Sequence, residues 1–220
     1  MGGAKGEEKP PGGAEDWCYH FGNKGAFDLK APKKSPIALR MVVLAVTMLC
    51  GGLVANHAEI ADYFNRRGVS AIFLFRRNLL RQLISQLANN HDRYLKQLNG
   101  THKAHVHTRD EANILAKYKP RLNTTSLISS LKQADEYTRD ALQNLKSIHH
   151  ITIYYEDLIS NRTRLLDVLD FLKVPRRKLV SRHVKIHTRP LSEQIENWDE
   201  VYNALNGTQY ESFLNADYRI

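Results

Sequence analysis

Arg77, Asn78 and Ser85 have the types and spacing to hold an anion. They follow residues 69–75, an apolar run rich in aromatic and β-branched side chains that reads as a buried strand. An amphipathic helical pattern begins at Leu79. A strand handing over directly to a helix aims unpaired N–H groups and a partial positive charge at whatever lies beyond the strand end. Arg77 adds a planar fork suited to a phosphate, and Ser85 a hydroxyl two helical turns further on. Asn78 stands at the junction, and Arg81 shares the helical face of Arg77 and Ser85. Arg76 points to the opposite side of an extended strand.

A second segment, residues 151–158 with the sequence Ile-Thr-Ile-Tyr-Tyr-Glu-Asp-Leu, repeats the strand-to-helix pattern and carries two adjacent acids, Glu156 and Asp157. Paired acids suggest general-base chemistry. The reading preferred here is structural, with Asp157 capping the following turn and Glu156 in a buried ion pair.

Arg77-Asn78 followed by Ser85 resembles the 3′-phosphate-binding motif of sulfotransferases. Residues 151–158, with the helix running on to Leu172, resemble that family's "YEDL" segment. The likeness is to plant sulfotransferase-like proteins related to bacterial nodulation sulfotransferases, and it covers roughly residues 57–216. It implies an α/β chain with a three-layer P-loop-type fold around a central parallel sheet, here in truncated form. It also implies 3′-phosphoadenosine 5′-phosphosulfate (PAPS) as co-substrate, no metal, and sulfonate transfer to a hydroxyl or amine of a glycan or peptide. Arg77, Asn78, Arg81 and Ser85 would be the nucleotide ligands. Lys185 and Arg189 would lie on a loop reaching the 3′-phosphate.

The family's phosphosulfate loop, a strand–loop–helix of the form K/R-S-G-S/T-x-W, has no counterpart here. Residues 9–13 lack a preceding strand, residues 21–25 lack the hydroxyl residue, and Cys50-Gly51-Gly52 lies in an apolar run without Lys or Ser. No residue matches the family's catalytic base, so none is assigned a catalytic role. Three readings stay open: an active sulfotransferase, an inactive membrane-anchored relative that binds nucleotide or a partner, and a basic nucleic-acid-binding module. The last is the least favoured.

The chain has 220 residues and a formal net charge of +9. The excess is concentrated around residues 66–81 and in residues 173–189, where seven lysines and arginines occur with no acid. Such a surface suits nucleotides, acidic glycans, nucleic acid or anionic lipid, or is simply solvated. Two cysteines, Cys18 and Cys50, make no disulfide framework. The ten histidines are scattered; His105, His107, His149 and His150 could be ligands, but no zinc-site geometry is suggested.

Residues 41–55 are uncharged and follow Lys30, Lys33, Lys34 and Arg40, the pattern of a signal anchor with its N-terminus in the cytosol. A span needs about 20 apolar residues, so an anchor over 37–55 requires Arg40 to snorkel; otherwise the run is a core helix. Sequons at Asn99, Asn123, Asn161 and Asn206 all follow the run, on the side that would be lumenal. Together these imply a single-pass type II glycoprotein of the Golgi or endoplasmic reticulum, with a soluble cytoplasmic protein as the alternative.

Three stretches follow: a disordered tail over 1–36, the anchor candidate at 37–55, and a partial sulfotransferase-like domain over 57–220. Periodicity predicts helices over 58–67, 79–98, 111–118, from Thr124 or Thr125 to about 145, 161–172 and 192–205, and strands over 69–75 and 150–155. Trp198 and Tyr202 are expected in the core.

Overall fold

Strand β2 (Ser70–Phe75) is the centre of a small parallel sheet. The computed structural model describes residues 41–42, 56–103, 105–161, 163–177, 179–180 and 182–215. On one side β2 pairs with β1 (Met41–Val42), on the other with β3 (His150–Tyr154), in the order β1-β2-β3. The β2–β3 register sets Ala71 against His150 and Phe75 against Tyr154. Both strands therefore end level; β3 runs straight into a helix, and β2 reaches one after the three residues Arg76, Arg77 and Asn78.

In chain order the helices are α1 (His57–Arg67), α2 (Leu79–Leu95), α3 (Arg109–Leu115), α4 (Thr124–Asn144), α5 (Tyr155–Ser160), α6 (Arg164–Phe171), α7 (Leu191–Gln194) and α8 (Trp198–Leu205). A 3-10 turn, Glu211–Leu214, follows. The α/β class expected from alternating helices and strands is what the described residues show.

Two cores meet along α4, one of them on a face of β2. Ala71, Phe73 and Phe75 project from one face of β2 onto Ala61 and Phe64 of α1 and onto Ala141 and Leu145 at the end of α4. Leu80, Leu83 and Ile84 of α2 bury against Leu127 and Leu131 at the start of α4 and against Val201 and Leu205 of α8. Each such side chain contributes roughly 1.5–3 kcal/mol by leaving water. A third, smaller cluster of Leu98, Val106, Ala112 and Leu115 takes in Val184 and Ile186.

Several boundaries differ from the periodic reading, each for a physical reason. Helix α2 stops at Leu95 because Lys96 turns left-handed (φ 50°) and the buried Asp92 carboxylate accepts the Gln97 and Lys103 N–H groups. The 161–172 helix starts later, as α6 at Arg164, because an extended Asn161 ends the separate short helix α5 just before it. The 192–205 helix also breaks, where the buried Asn197 side chain accepts the Leu122 N–H and donates to the Leu122 carbonyl, each at 2.9 Å. Helix α4 is capped by Asn123, whose Oδ1 accepts the Thr125 N–H, rather than by a threonine. Trp198 packs against the core, but Tyr202 is exposed.

The apolar run opens as a strand: Met41 and Val42 pair in parallel with Ser70 and Ala71. The rest of the anchor candidate and the 1–36 tail lie outside the described residues. Among the described residues, no helix is long and apolar enough to cross a membrane.

Candidate anion-binding site

The two motifs meet. Because β2 and β3 are parallel neighbours ending level, the residues after Phe75 and those after Tyr154 share the carboxyl edge of the sheet, where open α/β folds receive ligands. Asn78 is the N-cap of α2; its Oδ1 accepts the Arg81 N–H at 3.0 Å and its Nδ2 donates to the Phe213 carbonyl at 2.9 Å. It is buried, so its amide ties the start of the helix to the C-terminal 3-10 turn rather than facing a cleft.

The ion pair expected of Glu156 is present, with Arg76 Nε 3.9 Å from its Oε1 and both side chains largely buried, while the cap expected of Asp157 is not. Glu156 is the group at a helix terminus: its carboxylate accepts the Arg77 N–H at 3.0 and 3.1 Å and the Asn78 N–H at 3.2 Å, at the positive end of α2. Asp157 does not cap α5. It forms a second, solvent-open ion pair, receiving Arg77 Nη1 and Nη2 at 2.7 and 2.9 Å. The guanidinium also lies 4.1 Å from the centre of the Tyr154 ring.

That hydrogen bond from Arg77 holds the Asp157 carboxyl below the usual carboxylate range. The pair is therefore fully formed above that range and is lost only as the pH falls through the lowered value. Arg77 is not buried: its side chain is 51% exposed. A guanidinium carries five N–H donors, and an end-on pair with a carboxylate occupies two. Three donors on the exposed side of Arg77 are thus oriented, but not consumed, by Asp157.

Ser85 is half-buried on α2, about 10 Å along the axis from Asn78 at 1.5 Å per residue, and on the same face as Asn78 and Arg81. Arg81 is buried and belongs to a second grouping. Arg76, Arg81 and Lys185 all act on His187, which periodicity did not single out. Arg76 in turn lies over the Tyr155 ring at 4.9 Å and 3.9 Å from Glu156 Oε1. The sheet edge thus carries Arg77 with Asp157, and a basic cluster from Arg76, Arg81, Lys185 and His187, with Glu156 between them. Arg189 is exposed, and its carbonyl accepts from Gln194 Nε2.

Burial, with Arg76, Arg81 and Lys185 adding repulsion, pushes His187 down to about 4. The imidazole is neutral at pH 7. In the unfolded chain it titrates near 6.5, so between about 6.5 and 4 the unfolded state takes up a proton that the folded state refuses. Stability is expected to fall over that window by roughly 2–3 kcal/mol from this residue. Chemical denaturation at pH 7.5 and pH 4.5 checks it. The difference should shrink in His187→Gln; an unchanged difference contradicts the assignment.

The four sequon asparagines, Asn99, Asn123, Asn161 and Asn206, are all exposed at loops or helix ends. Among the described residues, no group of three or more His, Cys, Asp or Glu is already arranged around a common metal position. No protein-family model, no curated protein and no solved structure matches this chain.

Proposed function

We propose that the chain is a sulfotransferase-family protein that binds the 3′-phosphate end of PAPS, and that the binding site is the junction of β2 and α2. The observation that carries this reading is the meeting of two motifs 79–80 residues apart: Arg77 and Asn78 on one side, Glu156 and Asp157 on the other. In this reading Asp157 is a positioning residue. It and Tyr154 hold the Arg77 guanidinium in one orientation, so less side-chain freedom is lost when a phosphate arrives. Ser85 supplies a hydroxyl further along α2, and the cluster of Arg76, Arg81 and Lys185 contributes a field that draws a dianion to the edge.

A P-loop-type arrangement is the finer form of the α/β fold that accompanies this reading. Its basis is the parallel pairing of β2 with β3 and the strand-to-helix turn at the end of each. Sulfonate transfer spreads negative charge over the moving group, so cationic positioning would dominate the chemistry. No residue here is assigned to the sulfonate end. The exposed sequons support a lumenal, glycosylated domain carried by a type II anchor at 37–55.

Calorimetry with adenosine 3′,5′-bisphosphate tests the reading, and saturable binding at one site per folded chain is expected. Absence of heat from well-folded protein removes it. Transfer from labelled PAPS to a glycan or peptide panel then separates an enzyme from a nucleotide-binding relative. A steep salt-dependent affinity for DNA or RNA without nucleotide binding would favour the nucleic-acid reading instead.

A further inference from the structure

We propose that His105, His107 and His183 form a surface site for a divalent transition-metal ion of the Zn2+ class. Its ligands are none of the residues assigned to the nucleotide, although Lys185 of the basic cluster lies across from His105, and the proposal does not rest on that reading. It arises from an isolated antiparallel bridge between Val106 and Val184, closed by the Val184 N–H donating to the Val106 carbonyl at 2.9 Å. Val106 is fully buried, and Val184 packs against the same cluster. Extended backbone alternates its side chains between two faces. With the valines turned in, His105 and His107 stand on the outer face of one strand and His183 on the outer face of the other, all exposed.

The antiparallel register sets His107 directly across from His183, with His105 on the diagonal. The His183 ring centre lies 4.8 Å from that of His105 and 5.1 Å from that of His107. These are the spacings a metal requires. With Zn–N about 2.0–2.1 Å, each ring centre stands about 3.2 Å from the ion, and two rings at tetrahedral angles lie about 5 Å apart.

The rings are not yet arranged around one point. Convergence needs rotation about χ1 and χ2, with His183 exchanging its present contacts for the metal. His107 already has the outer hydrogen bond that metal-binding imidazoles show: its Nδ1 faces the Arg182 carbonyl at 3.3 Å. Donation there leaves Nε2 as the ligand atom. Three imidazoles without a thiolate suit Zn2+, Ni2+ or Cu2+ rather than Mg2+ or Ca2+, with water in the remaining position. The nearest charges are mixed: Glu111 accepts the His107 N–H, while Lys185 is the residue across from His105 and repels a cation. The result is a modest surface site rather than a structural one.

Titration of untagged, full-length chain with Zn2+ at pH 7.5 is expected to show one saturable site. His183→Ala and His105→Ala, both exposed changes, should each weaken it at least tenfold, while His57→Ala, outside the cluster, leaves it unchanged. No saturable Zn2+ binding by the wild-type chain up to about 100 μM overturns the proposal. So does equal affinity in the two cluster variants.

Discussion

Arg77→Ala is expected to weaken binding of adenosine 3′,5′-bisphosphate by roughly 30- to 150-fold, which calorimetry on both proteins would read directly. Charge-assisted hydrogen bonds contribute about 1.5–3 kcal/mol each to recognition, and a bidentate guanidinium–phosphate pair stands at the upper end of that range. The same substitution should barely affect folding. The Arg77–Asp157 pair is open to solvent, with side chains 51% and 33% exposed, and exposed pairs contribute about 0–1 kcal/mol. Loss of binding with a nearly unchanged Tm therefore speaks to ligation and not to collapse of the site. Unaltered affinity in the variant would remove Arg77 from the ligand set and leave it the structural contacts with Asp157 and Tyr154.

Leu80→Ala should do the opposite: cost about 2–5 kcal/mol of stability and lower the Tm by roughly 5–15 °C. Leu80 is fully buried in the first turn of α2, in the cluster that binds α2 to α4 and α8. Truncation removes apolar contact and leaves a cavity that helices fixed on three sides cannot close. The first turn of α2 is also where Glu156 meets the helix, so loosening it should blur the anion site. Denaturant melts of the variant measure the cost; a loss below about 1 kcal/mol would mean that α2 is held by its polar contacts at Asn78 and Glu156 more than by its apolar face.

What could be read in the chain before its fold was known was local. Residues 69–75 declare a strand through an unbroken apolar run, and α2 declares itself through Leu80, Leu83 and Ile84 at helical spacing. The α/β class follows from that alternation. What could not be read was long-range pairing. Asn197 breaks a helix because it binds Leu122, 75 residues away, and nothing near Asn197 announces it. The pairing of Asp157 with Arg77, in place of a cap, is of the same kind, since it depends on which end of α2 the neighbouring strand delivers the acids to. Strand β1 was hidden for a different reason: two apolar residues at the head of an apolar run carry no period to distinguish strand from helix.

At the candidate site, Arg77 and Asn78 were legible as a strand-to-helix junction. The burial of the Asn78 amide and the drawing of Arg81 towards His187 were not. His187 had no sequence signal beyond its place in a basic stretch. His105, His107 and His183 are 76–78 residues apart in pairs across the bridge, and only the packing of Val106 and Val184 brings them onto one face.

The most direct test of the nucleotide edge is a side-by-side titration of the chain with adenosine 3′,5′-bisphosphate and adenosine 5′-phosphate, which differ only by the ester group assigned to Arg77. Preference for the bisphosphate by a factor of ten or more, about 1.4 kcal/mol, is the expected result. Equal affinity for the two, or none for either, would contradict a 3′-phosphate site at this junction.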